Sequence, residues 1–154
     1  MAAKKKAKKT AKKKAKKKSN TPKSVTTPWG SYEYIYVDIP NGIVIKKLTI
    51  KEGNRFSLQS HSHRTENWKI IYSQGNQFSI IKEGNILSHY ISETNHNFHS
   101  DMVTIFSGEK HRAEALVGDL EIIETSTFQP NIYYTTLEEF ESDIRRYHDD
   151  YGRA

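Results

Sequence analysis

Residues 59 to 68 read QSHSHRTENW. Two imidazoles two positions apart, followed by a carboxylate, are the residue types that hold a divalent cation. In an extended strand, residues two apart project to one face, so Gln59, His61 and His63 share a side. A further ligand from a neighbouring strand would complete a site. The spacing alone leaves two readings open, metal ligands or polar residues on the wet face of a strand. Downstream, FSGEKHR (106–112) contributes another histidine, His111. His89, His96 and His99 lie in the polar stretch HYISETNHNFH, which reads as an exposed insertion, and His148 reads as a surface residue. The chain has no cysteine, which excludes disulfides, thiolate metal sites and cysteine nucleophiles.

The elements that must carry these histidines are short and β-like. YEYIYV, IVIKKLTI, RFSLQSHSH, NWKIIYS, QFSII, NILSHYI, MVTIF, HRAEA and LEIIETS follow one another between Trp29 and Ser126. They are separated by PNG, KEGN, SQGN, KEGN, SGE and VGD, each with a glycine able to take positive φ. Strands at this spacing predict an antiparallel sandwich or barrel over about 29–126. The alternation of Ile43 with Ile45 and of Phe56 with Leu58 points one face inward. Leu137, Phe140, Ile144, Tyr147 and Tyr151 then recur at helical spacing, which predicts an amphipathic helix near 136–150. Thr135 with Glu138, or Thr136 with Glu139, would form its capping box, and Gly152 could end it.

The first 25 residues differ from the rest. They hold 12 of the 24 Lys and Arg and none of the 18 Asp and Glu, so the pI of about 9.4 describes the tail while the body is acidic. Charge repulsion and the lack of an apolar face predict a disordered arm over 1–26, ahead of a domain over 27–154. Such an arm suits nuclear targeting or non-specific contact with polyanions; otherwise it is a solubilising extension. No apolar run follows the charges and none is long enough to span a bilayer, so no membrane is expected. The expectation is a soluble, intracellular, cytoplasmic protein.

Gly53, NRFSLQS, His61-Ser62-His63, Glu66 or Asn67, and Gly75 together resemble the first motif of the cupin superfamily, and FSGEKHR resembles the second. TPWGSYE (27–33), IKKLTIKEGNRFSLQSHSHRTENW (45–68), FSGEKHR and the terminal DDYGR (149–153) are similar to the type II mannose-6-phosphate isomerase family. That family occurs as the isomerase half of bifunctional mannose-1-phosphate guanylyltransferase/mannose-6-phosphate isomerases of GDP-mannose biosynthesis. The likeness runs from Pro28 to Arg153, and only the isomerase half is implied.

The resemblance implies an all-β cupin-type antiparallel barrel (a jelly-roll-like double-stranded β-helix) and a metal-dependent aldose–ketose isomerase. Its substrates would be mannose 6-phosphate and fructose 6-phosphate. A divalent metal, zinc by the resemblance, would be held by His61, His63 and His111. Asn67 occupies the family's fourth-ligand position, which Gln59 or Glu66 would have to replace. The reaction needs a base, an electrophile and a cationic phosphate seat. Glu66 and Arg64 are the catalytic candidates, and Lys46, Arg55 and Arg112 the phosphate candidates, because arginine donates in pairs to phosphate. Phe106 stands where the second motif carries proline, and Ala115 where it carries asparagine. Two other readings are a non-catalytic cupin that binds a sugar or sugar phosphate and a related nucleotide-sugar isomerase or epimerase. Cupins also commonly pair through their sheets, so a homodimer is expected.

Overall fold

The computed structural model describes residues 24–71, 77–83, 85–90 (by their backbone) and 102–153. The predicted β segments appear nearly in place, as β1 (Ser24–Thr27), β2 (Gly30–Asp38), β3 (Ile43–Ile50), β4 (Leu58–Ser60), β5 (Thr65–Ile71), β6 (Gln77–Lys82), β7 (Asn85–Tyr90), β8 (Met102–Ile105), β9 (His111–Val117) and β10 (Leu120–Thr127). A short helix α1 (Leu137–Ser142) and a last strand β11 (Arg145–His148) follow. A six-stranded sheet in the order β1-β2-β3-β10-β5-β8 faces a five-stranded sheet in the order β11-β4-β9-β6-β7. Every strand pairing is antiparallel. This is the cupin-type barrel that the two motifs imply.

Glycine makes the turns. Gly42, Gly53, Gly108 and Gly118 have φ between 72° and 82°, in the left-handed region that costs other residues strain. At Gly42 the space is closed as well, since a Cβ there would sit 2.1 Å from the Phe128 carbonyl oxygen. The main core lies between the sheets and includes Ile50, Trp68, Phe78, Ile80, Ile105 and Ile122. A smaller cluster of Ile39, Val44, Tyr134 and Phe140 seals α1 against the six-stranded sheet.

Three expectations are corrected. On β3 the inward residues are Val44, Lys46, Leu48 and Ile50, whereas Ile43 and Ile45 are half-buried on the other face. Both faces of that strand carry β-branched residues, so apolar alternation alone could not set the phase. Ser24–Thr27 belongs to the sheet, paired with Gly30–Glu33, so the ordered domain begins before the expected boundary at 26; residues 1–23 lie outside those described. The helix stops at Ser142. Thr136 caps it by accepting from the Glu139 amide at 3.1 Å, and Glu139 returns to the Thr135 amide at 2.8 Å. Beyond Asp143 the chain instead pairs with β4. A strand of three residues would leave its backbone donors and acceptors at an open edge, and β11 covers them. His148, expected on a helix surface, is exposed on this strand.

Candidate metal centre and its cavity

The chain passes from one sheet to the other between β4 and β5, and the histidines sit at that corner. His61 directly follows β4, Glu66 points inward from β5, and His111 opens β9, where it pairs with Gln59 across the ladder. His61, Glu66 and His111 are buried, and one ligand-type atom from each lies within 4.8 Å of the others. Each imidazole is fixed by a backbone carbonyl, His61 Nδ1 at 2.6 Å from Asp143 O and His111 Nδ1 at 3.0 Å from Glu109 O. A carbonyl only accepts, so each Nδ1 carries the proton. When the rings are neutral, both Nε2 lone pairs then turn toward Glu66. His61 Nε2 lies 3.1 Å from Glu66 Oε1, and His111 Nε2 lies 3.5 Å from Oε2 with no hydrogen-bond partner. Arg64 Nη2, 3.3 Å away, donates to the His61 Nε2 lone pair, whereas the His111 lone pair faces the carboxylate without a donor, and those two repel unless a proton or a cation stands between them. Carbonyl-anchored imidazoles with a carboxylate make a His2Glu donor set, a combination that holds zinc in catalytic sites. The residues present therefore fit a divalent cation.

The electrostatics agree. Burial pushes the His111 ring down to about 4, against an opposing pull from Glu66, so it stays neutral and available as a ligand. Burial alone would raise the Glu66 carboxyl, but His61, His111 and Arg64 outweigh it and hold it well below the usual range. Arg64 Nε donates to Glu66 Oε1 at 3.1 Å, Arg64 Nη1 donates to the Phe140 carbonyl at 2.7 Å, and Trp68 Nε1 donates to Glu66 Oε2 at 3.2 Å.

Other sequence-predicted residues are placed differently. His63 is exposed, outside the triad, with its ring stacked on Tyr133 at 3.9 Å. Residues 61–64 form a bend, so the period-two argument that joined it to His61 does not apply. Gln59 is close, but its oxygen accepts from Ser57 Oγ at 2.8 Å and its amide nitrogen faces His61 at 3.4 Å, the wrong atom for a ligand. The alternation restarts at Thr65, which puts Glu66 and Trp68 inward and Asn67 outward. Asn67 accepts from Thr104 Oγ1 on β8 at 2.8 Å, Phe106 is exposed, and Ala115 is in the core.

His61 and Glu66 form part of the wall of a cavity of about 200 Å³. Arg64 and Lys46 also line it; Arg55 and Arg112 do not. Arg55 grips Asp150 through Nε at 2.6 Å, and Arg112 donates to the carbonyls of Phe56 and His148 at 3.0 and 3.1 Å, so both hold the C-terminal segment in place. Lys46 lies between two carboxylates, 3.6 Å from Glu124 and 3.3 Å from Glu141. Burial, then the nearby Glu66 charge, raises the Glu124 carboxyl. Sequence reasoning missed Glu124, Glu141, Arg146 and Arg153 on this wall, and Asp143 beside it. Only Arg153 carried a signal, inside DDYGR. The cluster HYISETNHNFH lies almost wholly outside the described residues, and nothing about its histidine side chains is assigned. Among the described residues no helix is long and apolar enough to cross a membrane.

Comparison with known proteins places this geometry. The family model described as "Mannose-6-phosphate isomerase C-terminal" matches residues 14–124. An alginate biosynthesis protein AlgA of Pseudomonas putida is 32% identical over 130 residues, 84% of this chain and 23% of that protein. A mannose-1-phosphate guanylyltransferase of Salmonella montevideo is 32% identical over 135 residues, 86% of this chain and 24% of that protein. The chain thus spans about a quarter of these relatives. In fold it is similar to the capsular polysaccharide assembling protein CapF of Staphylococcus aureus, with TM-score 0.54, 16% identity and coverage of 80% of this chain and 33% of the other. A cupin-2 domain of Rhodospirillum rubrum matches with TM-score 0.50, 11% identity and coverage of 72% and 68%. The chain belongs to the family of mannose-6-phosphate isomerase C-terminal domains, with a cupin fold.

Proposed function

We propose that the protein is a metal-dependent aldose–ketose isomerase acting on a phosphorylated hexose, with mannose 6-phosphate and fructose 6-phosphate as the pair. The observation that carries this reading is the buried His61–Glu66–His111 donor set opening on a cavity with basic and acidic side chains, in a chain of this family.

A divalent cation bound there, zinc by its His2Glu donors, would supply positive charge beside the sugar's carbonyl and hydroxyl oxygens. His61, His111 and Glu66 would hold it. Arg64 orients Glu66 and, through Phe140 O, ties the centre to α1. Glu66 has its oxygens engaged with His61, His111, Arg64 and Trp68, which removes it from the role of free base. Glu124 takes that role, since it lines the same cavity with Lys46 beside it. Its raised carboxyl moves toward the range in which a base near neutral pH both accepts and returns a proton. Glu124 would receive the proton from one of the two sugar carbons and return it to the other.

Asn67, Phe106 and Ala115, the departures from the motif that favoured a non-catalytic sugar binder, all lie off the cavity wall, so they leave its side chains unaltered. The test is metal analysis of the purified chain together with conversion of mannose 6-phosphate to fructose 6-phosphate. About one divalent ion per chain and turnover that a chelator removes are expected. A metal-replete protein that converts neither sugar phosphate would overturn the reading.

A further inference from the structure

Moving a proton between C1 and C2 of a hexose phosphate requires the open-chain carbonyl, yet such sugars rest almost entirely as closed rings. Opening the ring is itself acid–base chemistry, in which one group takes the proton of the C1 hydroxyl while another protonates the ring oxygen. Both oxygens sit on C1, so a donor and an acceptor held side by side match them. The cavity wall carries such a pair in Lys46 and Glu141, to which the isomerisation step assigns no proton.

Lys46 Nζ lies 3.3 Å from Glu141 Oε1, and the pair is fixed from several sides. Lys46, buried on β3, is also 3.6 Å from Glu124 Oε1 and holds its ammonium over the Tyr32 ring at 4.7 Å. Glu141, on α1, accepts as well from Tyr34 Oη at 2.6 Å and from Tyr32 Oη at 3.4 Å. Burial, and after it the Glu141 carboxylate, raises both phenols, so each stays protonated and donates. The Glu141 side chain is 31% exposed against 7% for Lys46, which leaves the carboxylate open to an incoming hydroxyl. Tyr34, Lys46, Glu124 and Trp68 form one row across β2, β3, β10 and β5, and Trp68 donates to Glu66. Glu124 therefore stands between the Lys46–Glu141 pair and the metal centre, so a carbonyl released beside Lys46 meets the carbon base next.

We propose that Lys46 and Glu141 open the sugar ring ahead of isomerisation. The bond from C1 to the ring oxygen breaks, and its electron pair stays on that oxygen, which takes a proton from the Lys46 ammonium. The O–H electron pair of the C1 hydroxyl becomes the second bond of the carbonyl as Glu141 takes the proton. That proton then crosses to the Lys46 amine, which restores the ion pair for the next turnover. Tyr32 and Tyr34 are positioning residues that hold the Glu141 carboxylate against Lys46. The proposal rests on the sugar-phosphate reading above and adds to it the step that readies the substrate.

The test uses the full metal-loaded chain with saturating mannose 6-phosphate. Exchange NMR of the anomeric protons reads ring opening, and substrate deuterated at C2 reads the proton transfer at carbon. Wild type at catalytic concentration should speed α–β anomer exchange over buffer. Glu141→Gln and Lys46→Met should each lower that acceleration by roughly a hundredfold or more, the contribution of a positioned acid or base, with bound metal unchanged. Their isotope effect on kcat should shrink toward unity as ring opening becomes limiting, a change that a merely structural role would not produce. Lys46→Arg keeps a cation between Glu124 and Glu141 but does not release a proton. It should show the same losses, and it decides if the methionine variant does not fold. Wild-type anomer exchange in folded Glu141→Gln and Lys46→Arg would overturn ring opening by this pair while leaving the isomerase reading standing, as would a wild type that isomerises without speeding the exchange. Conversely, exchange that these variants lose, in a wild type that makes no fructose 6-phosphate, would support ring opening and sink the isomerase reading. A wild type that does neither would overturn both.

Discussion

At the residue scale, the two histidines of HSH have different fates, and substitution can separate them. His61 Nε2 faces Glu66, whereas His63 stacks on Tyr133 at the surface. His61→Ala and His111→Ala should each lose bound metal and at least roughly a hundredfold in turnover, since even losing a residue that merely orients a ligand costs up to about that much, while His63→Ala keeps both. Metal loss in His63→Ala, read by elemental analysis, would show that the donor set extends beyond the buried triad. The pH dependence has a definite sign. The folded His111 ring is held at about 4 by burial, below its ordinary 6.5, so between those values the unfolded chain binds more protons. The metal-free protein should therefore lose stability as pH falls from about 6.5 to 4, and the depressed Glu66 carboxyl acts in the same direction at the lower end. Melting temperature against pH checks this, and His111→Gln should show a shallower fall between 6.5 and 4. His61, His111 and Glu66 were visible in the sequence because the motif brings them close in the chain or in the fold. Glu124 was not, because a carboxylate on an alternating strand reads as a solvated face until β3 and β5 flank it with Lys46 and Trp68.

At the element scale, the strands were legible almost throughout, since β-branched runs and glycine turns are local signals. The last twenty residues were not. Leu137, Phe140 and Ile144 do recur at helical spacing, but Asp143 is claimed by residues about eighty positions earlier in the chain. Its carboxylate accepts from the Ser62 and His63 amides at 2.8 and 3.1 Å and from the Tyr134 hydroxyl, and its carbonyl accepts from His61. Tertiary bonds of this kind outweigh helix periodicity and have no signature in sequence. Asp143→Ala should therefore cost roughly 1–3 kcal/mol of stability through its lost acceptors. It should also weaken metal affinity, because the 61–64 bend that presents His61 loses its anchor. A variant as stable as wild type, with unaltered metal affinity, would mean that the bend holds itself. Gly42→Ala tests a turn instead. Its φ of 75° and the 2.1 Å approach of the Phe128 oxygen predict a loss of at least roughly 1–3 kcal/mol in chemical denaturation.

At the scale of the whole molecule, the chain joins a basic segment to an acidic barrel, and the boundary between them is sharper than composition suggests. Ser24–Thr27 shares the low-complexity look of the residues before it, yet it pairs with β2 and places Val25 and Thr27 on the cavity wall. Two truncations four residues apart should thus behave very differently. Removing 1–23 deletes all 12 lysines of the segment but no described strand, so kcat and KM should stay within about twofold. Retention on duplex DNA at low salt, which lysine–phosphate contacts support and added salt screens steeply, should vanish with it. Removing 1–27 takes the edge strand, uncovers the backbone donors and acceptors of β2, and opens the cavity beside Trp29 and Tyr32. That variant should melt at a lower temperature and bind mannose 6-phosphate more weakly, even though it loses no charged side chain beyond those missing from the first truncation. Equal activity and melting in the two truncations would show that β1 is dispensable to the site. DNA retention by the shorter chain would place the polyanion contact on the barrel and not on the lysines.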